Sequence, residues 1–391
     1  MLLNGKFGMK VTKLLFLIMA CALASCARKN TTDVKDDVEV LDFNVSQSKD
    51  KLSCGYKLSF VRLETNDSCL IDKVNQIEYK NDTLFILDSN KSNLLAFKKD
   101  GAFLSKIGET GNGPGEFIWP SSIYLDKATD KLYIIDAGQQ KLIAYHADTF
   151  RYLAEWKLPF DTNCGVLSDD TEWIWSNRGY QDKAGDFYYL STDTDFQVIN
   201  HYLKKEFKSG YVVGPLVSLY KLGDKTYGYV PFSSLIYELS SEGAVPVYSV
   251  KYGDFEFPSL DYMNEISHNG TVSYSGKLSD SGFISYNMVA GLGKYLFACS
   301  MVKGVRYIGL YGLESGKSDF LRLEDFAEVL KCGQIDYLVS SINADCLAFP
   351  LMPASLKDLE QEGYEFCEGL KGILPEIVED DNPVLGLLEI E

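Results

Sequence analysis

The chain has 391 residues, of which 46% are hydrophobic and 13% aromatic, so it can bury a large core as one all-β domain or as two smaller domains. This composition excludes a disordered protein, and the 25 Tyr and 22 Phe favour strands. The formal net charge of −17 at pH 7 gives a surface that repels phosphate groups, so we expect no nucleic-acid binding.

The first predicted element is an export signal. A basic segment at residues 9–13 precedes an apolar run at 14–24, which is too short to anchor a protein across a bilayer. The run ends in LASC, residues 23–26, which resembles the bacterial lipobox, where a cysteine is diacylated and becomes the mature N-terminus. We therefore predict a lipoprotein signal peptide at 1–25 and lipidation of Cys26. The alternative is cleavage by the ordinary signal peptidase, with Cys26 incidental.

Lipid on Cys26 would anchor the protein to a membrane that no later segment is apolar enough to span. Residues 26–50 are polar and charged, and we predict that they form a flexible tether. The expected location is the cell envelope, at the outer membrane. The acidic stretch KDD at 35–37 is similar to the export signals of surface lipoproteins in Bacteroidetes but lies farther from the cysteine, so the periplasmic and surface faces both stay open.

Two consecutive repeats predict the fold. Residues 82–108 and 130–156 superimpose without a gap at an offset of 48, which places Asp88 on Asp136. Each repeat contains three predicted strands, and a further short strand precedes each, at 74–79 and 121–125. Four strands in roughly 40 to 50 residues are typical of a propeller blade. The two aspartates are expected to cap turns through local hydrogen bonds rather than form a catalytic pair.

Weaker repeats complete a ring of six. Residues 172–203, 224–253 and 293–323 fit a third, fourth and fifth blade. The sixth combines residues 337–350 with strands from the two chain ends, at 58–64 and 384–390. We therefore predict that residues 51–391 form a six-bladed β-propeller of four-stranded antiparallel blades. Closure by terminal strands would remove sheet edges that otherwise invite aggregation.

The glycine-rich stretch IGETGNGPGEF, residues 107–117, lies between the first two repeats. It has neither the strand-to-helix context of a dinucleotide-binding loop nor the Gly-Lys-Ser/Thr ending of a P-loop. Its glycines suit positive φ and close backbone approach where one blade crosses to the next, and Pro114 stiffens the turn. We interpret the stretch as a structural turn.

These residues carry a family resemblance. Gly108, Gly111, the GPGEF at 113–117 and Pro120, followed by IYLD, KLYIID and KLIAY, resemble the NHL repeat. With the lipobox, FVRLET near the start and DNPVLGLLEIE at the end, the chain resembles the six-bladed β-propeller lipoproteins of Bacteroides-type bacteria. The resemblance implies the fold and an envelope location rather than an activity.

The candidate binding residues lie in the stretch TEWIWSNRGYQDKAGDFYY. Trp173, Trp175, Arg178 and Tyr180 combine aromatic rings with one guanidinium, which suits a sugar or peptide platform. In a strand the two tryptophans share one face, and packing of that face against the next blade is the alternative. Arg178 and Tyr180, nearer the turn, are expected to be exposed. We predict a binding or scaffold module for a glycan, a peptide or another envelope protein.

The alternative function is a metal-dependent hydrolase or lyase with its site at the mouth of the central channel. NHL-like and related propellers include a zinc lyase and calcium lactonases. A zinc site would need nearly all of His146, His201 and His268, which occupy non-equivalent positions. A calcium site would need carboxylate and amide oxygens that converge on the channel. The sequence contains no GxSxG or HExxH motif, so no cofactor is assigned and calcium stays open.

Seven cysteines remain outside the signal peptide and lipobox. The sequence contains no CxxC pair, which excludes zinc-ribbon spacing. An odd number leaves at least one thiol unpaired outside the cytoplasm. Pairing of Cys54 with Cys69, or of Cys332 with Cys346, is open, because spacing does not fix connectivity.

Overall fold

The computed structural model describes residues 38–44, 51–169, 171–177, 186–206, 218–267, 271–339 and 346–391. The strands are β1 Glu39–Phe43, β2 Tyr56–Arg62, β3 Gln76–Lys80, β4 Thr83–Asp88, β5 Asn93–Lys98, β6 Phe103–Lys106, β7 Pro120–Asp126, β8 Lys131–Asp136, β9 Lys141–His146, β10 Tyr152–Lys157, β11 Thr162–Asp169, β12 Glu172–Asn177, β13 Phe187–Thr192, β14 Val198–Lys204, β15 Leu219–Leu222, β16 Lys225–Tyr229, β17 Leu235–Ser240, β18 Gly243–Tyr252, β19 Ile284–Leu292, β20 Tyr295–Val302, β21 Val305–Gly312, β22 Ser318–Arg322, β23 Cys346–Leu351 and β24 Val384–Ile390. The helices are α1 Leu260–Ser267, α2 Thr271–Ser281, α3 Leu323–Leu330, α4 Pro353–Gln361 and α5 Glu368–Lys371, followed by a 3₁₀ helix at Leu374–Glu376.

The strands of the described residues form six sheets. Blades one, two, three and five are antiparallel sheets of four consecutive strands, β3 to β6, β7 to β10, β11 to β14 and β19 to β22. Blade four contains β15 to β18 with β1 added at its outer edge. This architecture confirms the predicted six-bladed propeller.

The first strands of blades one to four lie side by side. Gln76 on β3 donates to the Ile123 carbonyl at 2.7 Å and accepts from the Ile123 N–H at 2.9 Å. Ser121 on β7 donates to the Asn163 carbonyl of β11 at 2.7 Å. Lys221 on β15 donates to the Leu167 carbonyl of β11 at 2.9 Å. These bonds make the first strands the innermost layer of the ring.

Blade six is assembled from both chain ends. β24 pairs in the antiparallel sense with β2, from Tyr56 opposite Ile390 to Arg62 opposite Val384, and with β23 on its other side. A bridge between Val339 and Ala348 adds the innermost position. The predicted closure by terminal strands is confirmed, and β2 becomes the outermost strand of the last blade.

The predicted tether at 26–50 is wrong for Glu39–Phe43. This segment forms β1 and pairs in parallel with β18, with Glu39 opposite Tyr248 and Phe43 opposite Tyr252. Leu41 and Phe43 are completely buried. Their spacing of two residues puts both on the same face of the strand, a signal that the charged neighbours conceal. Residues 26–37 and 45–50 lie outside the described part of the chain.

Alternation along the strands explains how neighbouring blades pack. On β4, Phe85 and Leu87 join a buried cluster with Ile123 of blade two. Leu84 and Ile86 point the other way and join a cluster that contains Leu385 of blade six. Successive side chains of a strand face opposite sides of the sheet, so each blade is buried on both faces by its neighbours.

Because the strands of a blade are antiparallel, the connections between successive strands lie alternately on the two faces of the ring. The crossings between blades and the turns between second and third strands share one face, which we call the upper face. The glycine-rich crossing lies there, between β6 and β7. The crossings that contain α1 and α2, after β18, and α3, after β22, also lie there, as do α4 and α5 between β23 and β24. The largest insertions among the described residues therefore gather on the upper face.

Candidate functional site

The buried carboxylate of Asp136 fixes the end of the glycine-rich crossing. It accepts hydrogen bonds from the backbone N–H groups of Ile118 at 2.9 Å, Trp119 at 3.0 Å and Gly138 at 2.9 Å. Asp88, at the matching place in blade one, accepts from the N–H of Asn90 in its own turn at 3.1 Å and from the Asp72 N–H at 2.7 Å. Both aspartates are fully buried. The predicted role of these residues as turn caps is confirmed.

The glycine-rich crossing itself is a structural turn, as predicted. Gly108 has φ +70°, and an added Cβ there would lie 2.6 Å from the Phe117 ring. Gly115 has φ +77°, its N–H donates to the Glu155 carboxylate at 2.9 Å, and its carbonyl accepts from the Tyr145 hydroxyl. The N–H groups of Gly111, Gly113 and Phe117 also donate to acceptors within the loop. These amides are bonded to the protein itself and so do not form a phosphate cradle.

The crossing also presents two apolar side chains. Ile118 and Trp119 are 44% and 36% exposed and stand directly before β7, an innermost strand. They therefore lie at the upper end of the ring centre. The Cβ of Trp119 lies 3.1 Å from the place that a Cβ on Gly138 would occupy, so the glycine leaves room for the tryptophan. Sequence reasoning missed this pair because it treated the crossing as structural throughout. The available signal was a tryptophan immediately before the strand-initial Pro120.

Side chains of blade one reach the segment that carries this pair, and further polar groups of blades one and six lie on the same face. Ser89 donates to the carbonyl of Pro120 at 2.7 Å, which joins blade one to blade two. The Asn90 amide donates to the Asp72 carboxylate at 2.6 Å. The ammonium of Lys73 lies 5.4 Å from the ring centroid of Tyr337, which precedes the bridge of blade six. We call this set the upper rim, and its members are Asp72, Lys73, Asn90, Ile118, Trp119 and Tyr337.

The electrostatics of the upper rim keep Tyr337 neutral. Burial raises the pKa of this phenol to about 12, and Asp336, Asp88 and Asp72 contribute in the same direction. Its oxygen accepts a hydrogen bond from the Val74 N–H at 3.1 Å, which ties blade six to blade one. The upper rim thus combines aromatic surface with a carboxylate, an amide and an ammonium, a combination suited to ligands with one apolar face and many hydroxyl groups.

Comparison with known proteins places the chain in a family. The sequence matches DUF5128, a family described as a 6-bladed beta-propeller, over residues 28–350. The chain belongs to this DUF5128 family. A search of curated proteins found no match.

Two solved structures show the relation of this DUF5128 protein to others. A protein of Bacteroides fragilis NCTC 9343, named for its predicted export, is 36% identical with a TM-score of 0.83, and the match covers 90% of this chain and 99% of that one. A DUF4221 family member from Bacteroides vulgatus is 8% identical with a TM-score of 0.54, over 88% and 99% of the two chains. The second likeness shows the fold alone.

The tryptophans predicted to bind a ligand lie in the core of the DUF5128 propeller. Trp173 and Trp175 are 3% and 0% exposed, and their rings stack with centroids 4.9 Å apart. The Trp175 indole donates to the Thr192 hydroxyl at 3.0 Å. The Trp173 ring lies against two tyrosine rings of blade two, with centroids 5.0 and 5.7 Å away. Neither tryptophan forms part of an exposed platform, and the face packs against the preceding blade rather than the next. Arg178, Tyr180 and the predicted lipidation site Cys26 lie outside the described residues.

The part of the chain that the structure describes contains no set of metal ligands that would support the metal-dependent alternative. Those residues contain no group of three or more His, Cys, Asp or Glu side chains placed to hold a metal ion. His146 ends β9 of blade two, and His201 lies in β14 of blade three. His268 is outside the described ranges. Among the same residues, no helix is long and apolar enough to cross a membrane.

Proposed function

We propose that this DUF5128 protein is a lipid-anchored binding module of the cell envelope whose upper rim holds a glycan. The observation that carries the proposal is the 36% exposure of Trp119, directly before the innermost strand β7, on an upper rim that also carries the Asp72 carboxylate and the Asn90 amide. An indole packs against the apolar face of a sugar ring, while carboxylate and amide groups bond its hydroxyl groups.

Preorganisation of the upper rim supports this proposal. Two backbone N–H groups, those of Ile118 and Trp119, are held by one buried carboxylate, so the indole is carried by a fixed backbone. A site held in place before binding loses less conformational entropy when the ligand arrives. The net charge of −17 favours neutral or cationic glycans over sulfated or phosphorylated ones.

The envelope location rests on the lipobox at 23–26 and on the similarity to the Bacteroides protein named for its predicted export. We also propose that blades one and two, with the crossing from Gly108 to Pro120 between them, are NHL-like repeats. Labelling of the native host with a fatty-acid analogue tests the anchor, because Cys26→Ser should abolish incorporation. Protease treatment of intact cells then distinguishes the surface face from the periplasmic face.

The binding proposal is tested with the mature chain, residues 26–391, carrying Cys26→Ser. A glycan array identifies a ligand, and calorimetry then measures the affinity of this ligand for the protein and for Trp119→Ala. The same titrations in the presence of a chelator show whether binding needs a metal ion. Loss of the indole should weaken binding about tenfold or more. Trp156→Ala is the matched control, since Trp156 is 37% exposed on the outer strand β10. Equal affinities of the two variants, or binding only to peptides, would contradict a glycan site at the upper rim.

A further inference from the structure

Three cysteines from remote segments share one apolar cluster between blades five and six. Cys332, just after α3, is completely buried in the cluster. Cys54, just before β2, and Cys367, just before α5, pack against it and are partly exposed. The seven cysteines in the described part of the chain are all free thiols, so neither the Cys54–Cys69 nor the Cys332–Cys346 pairing is formed.

Backbone geometry brings Cys332 and Cys367 together. The Cys367 N–H donates to the Lys331 carbonyl at 2.8 Å, and that carbonyl belongs to the peptide bond that leads into Cys332. Standard bond lengths then limit the Cα separation of Cys332 and Cys367 to about 7 Å. Disulfides span Cα separations of about 4.4 to 6.8 Å. The backbone therefore holds these two residues at a separation that a disulfide bridges with little movement.

Both cysteines lie at helix ends. The Cys332 thiol donates a weak hydrogen bond to the Ala327 carbonyl at 3.7 Å, which a disulfide would replace. Lys331, the C-cap of α3, has the left-handed conformation, with φ 48° and ψ 47°, and ends the helix directly before Cys332. Cys367 is the N-cap of α5 and makes no side-chain capping bond. Cys54 packs against the same cluster from the N-terminal side. The N–H of its neighbour Ser53 donates to the Asp319 carboxylate of blade five at 2.7 Å, which fixes the backbone next to Cys54.

We propose that Cys332 and Cys367 are a disulfide site that closes after export, an inference that depends on the extracytoplasmic location proposed above. The oxidant is a disulfide, carried by a small thiol or by an envelope oxidoreductase. The Cys367 thiolate attacks one sulfur of this disulfide, forms a mixed disulfide and releases the first thiolate. The Cys332 thiolate then attacks the Cys367 sulfur and releases the second. Two protons leave the cysteines, and two electrons pass to the oxidant.

Exposure sets this order of attack. Burial raises the pKa of the Cys332 thiol well above its usual range and that of Cys54 to about 11, so neither is a ready first nucleophile. Cys367 is the partly exposed member of the pair. The closed bond would bridge 34 intervening residues, which include β23 and α4. It would tie the upper-face insertion of blade six to the crossing from blade five.

The test uses purified mature chain with Cys26→Ser, treated with oxidised glutathione or with a reducing agent. Oxidation should remove about 2 Da, link the Cys332 and Cys367 peptides in a digest, and raise the Tm by about 4 °C, reversibly on reduction. Cys367→Ser should abolish the link and the Tm shift. Cys346→Ser, a partly exposed cysteine of β23, is the matched control and should change neither.

A link from Cys54 to either partner, or free thiols at both positions after oxidation, would overturn the proposal. Protein isolated from the native envelope under thiol-trapping conditions should carry the same link, and trapped free thiols at both positions there would also overturn it. Failure of glycan binding changes none of these readouts, because they measure covalent connectivity and Tm rather than affinity.

Discussion

Blades one and two are each built from one continuous stretch of chain, whereas blades four and six are completed by remote segments. Blade two uses residues 120–157, and short turns join its strands. Blade six needs β2 and β24, whose paired residues Tyr56 and Ile390 are separated by almost the whole chain. Contacts between distant residues cost more loop-closure entropy and form more slowly than local ones. The sequence repeats are therefore clear in blades one and two, which are local. The ring is closed by blade six, which is composed of remote segments.

Removal of β24 should have the largest effect. The strand lies between β2 and β23, and its residues Val384, Leu385 and Leu388 are completely buried. A chain that ends at residue 383 leaves both neighbours without a partner and opens two buried clusters, so we expect loss of cooperative unfolding in thermal melts. Glu389→Ala, at an exposed position of the same strand, is the control and should melt like the wild type. A sharp transition in the truncated chain would show that the ring does not depend on this strand.

Phe43→Ala should give the next largest effect, because β1 completes blade four. The Phe43 ring is fully buried and lies 5.2 Å from the Tyr252 ring and 5.6 Å from the Tyr311 ring. We expect a loss of about 3 kcal/mol in the free energy of unfolding, measured by denaturant titration. Val40→Ala on the same strand is the control, since Val40 is 58% exposed and should cost less than about 0.5 kcal/mol. Equal losses would mean that β1 is not held by its buried face.

Asp136→Ala tests a local blade. Removal of the carboxylate leaves the N–H groups of Ile118, Trp119 and Gly138 without their acceptor, so we expect a loss of about 2 kcal/mol in the free energy of unfolding. Affinity for an upper-rim ligand should fall as well. Asp100→Ala is the control, because Asp100 is exposed and accepts one bond, from Ala102 at 3.1 Å. If Asp136→Ala binds the upper-rim ligand with unchanged affinity, the turn capped by Asp136 does not hold the binding site in place.

The smallest expected change in stability concerns Lys80, whose side chain joins blade one to blade two. Its ammonium is 2.6 Å from Asp130 and 2.9 Å from Asp148. Burial lowers the pKa of Lys80, but hydrogen bonds to the two carboxylates outweigh it and raise the pKa overall. The hydrogen bond from Lys80 lowers the pKa of Asp148.

The sign of the pH dependence follows from these directions. The Asp148 contribution is present above its unfolded pKa of about 3.9 and is lost as pH falls through the lower folded pKa. The Lys80 contribution is present below its unfolded pKa of about 10.4 and is lost as pH rises through the higher folded pKa. Asp148→Asn should therefore lower stability between about pH 5 and 9 by less than about 1 kcal/mol, with no difference near pH 2. Glu379→Gln, an exposed position, should show no such profile in melts across pH.

The site was less predictable than the fold. The pattern of Trp173 and Trp175 correctly put both on one face of a strand, but burial of that face depends on Phe160 and Phe196, which lie against the Trp175 ring. The upper rim combines Asp72 from blade one, Trp119 from blade two and Tyr337 from blade six. No spacing in the sequence relates residues 72 and 337, because only ring closure makes their strands neighbours.

The blades and their closing strands could be predicted from the amino-acid sequence, because alternating apolar residues and glycines at turns are local properties of the chain. The positive φ of Gly108 and the turn-capping Asp136 are of this kind. The pairing of Glu39–Phe43 with blade four and the approach of Cys332 to Cys367 are seen only in the folded chain. Burial and proximity between remote segments depend on how complete blades pack around the ring, and that packing is a property of all six together.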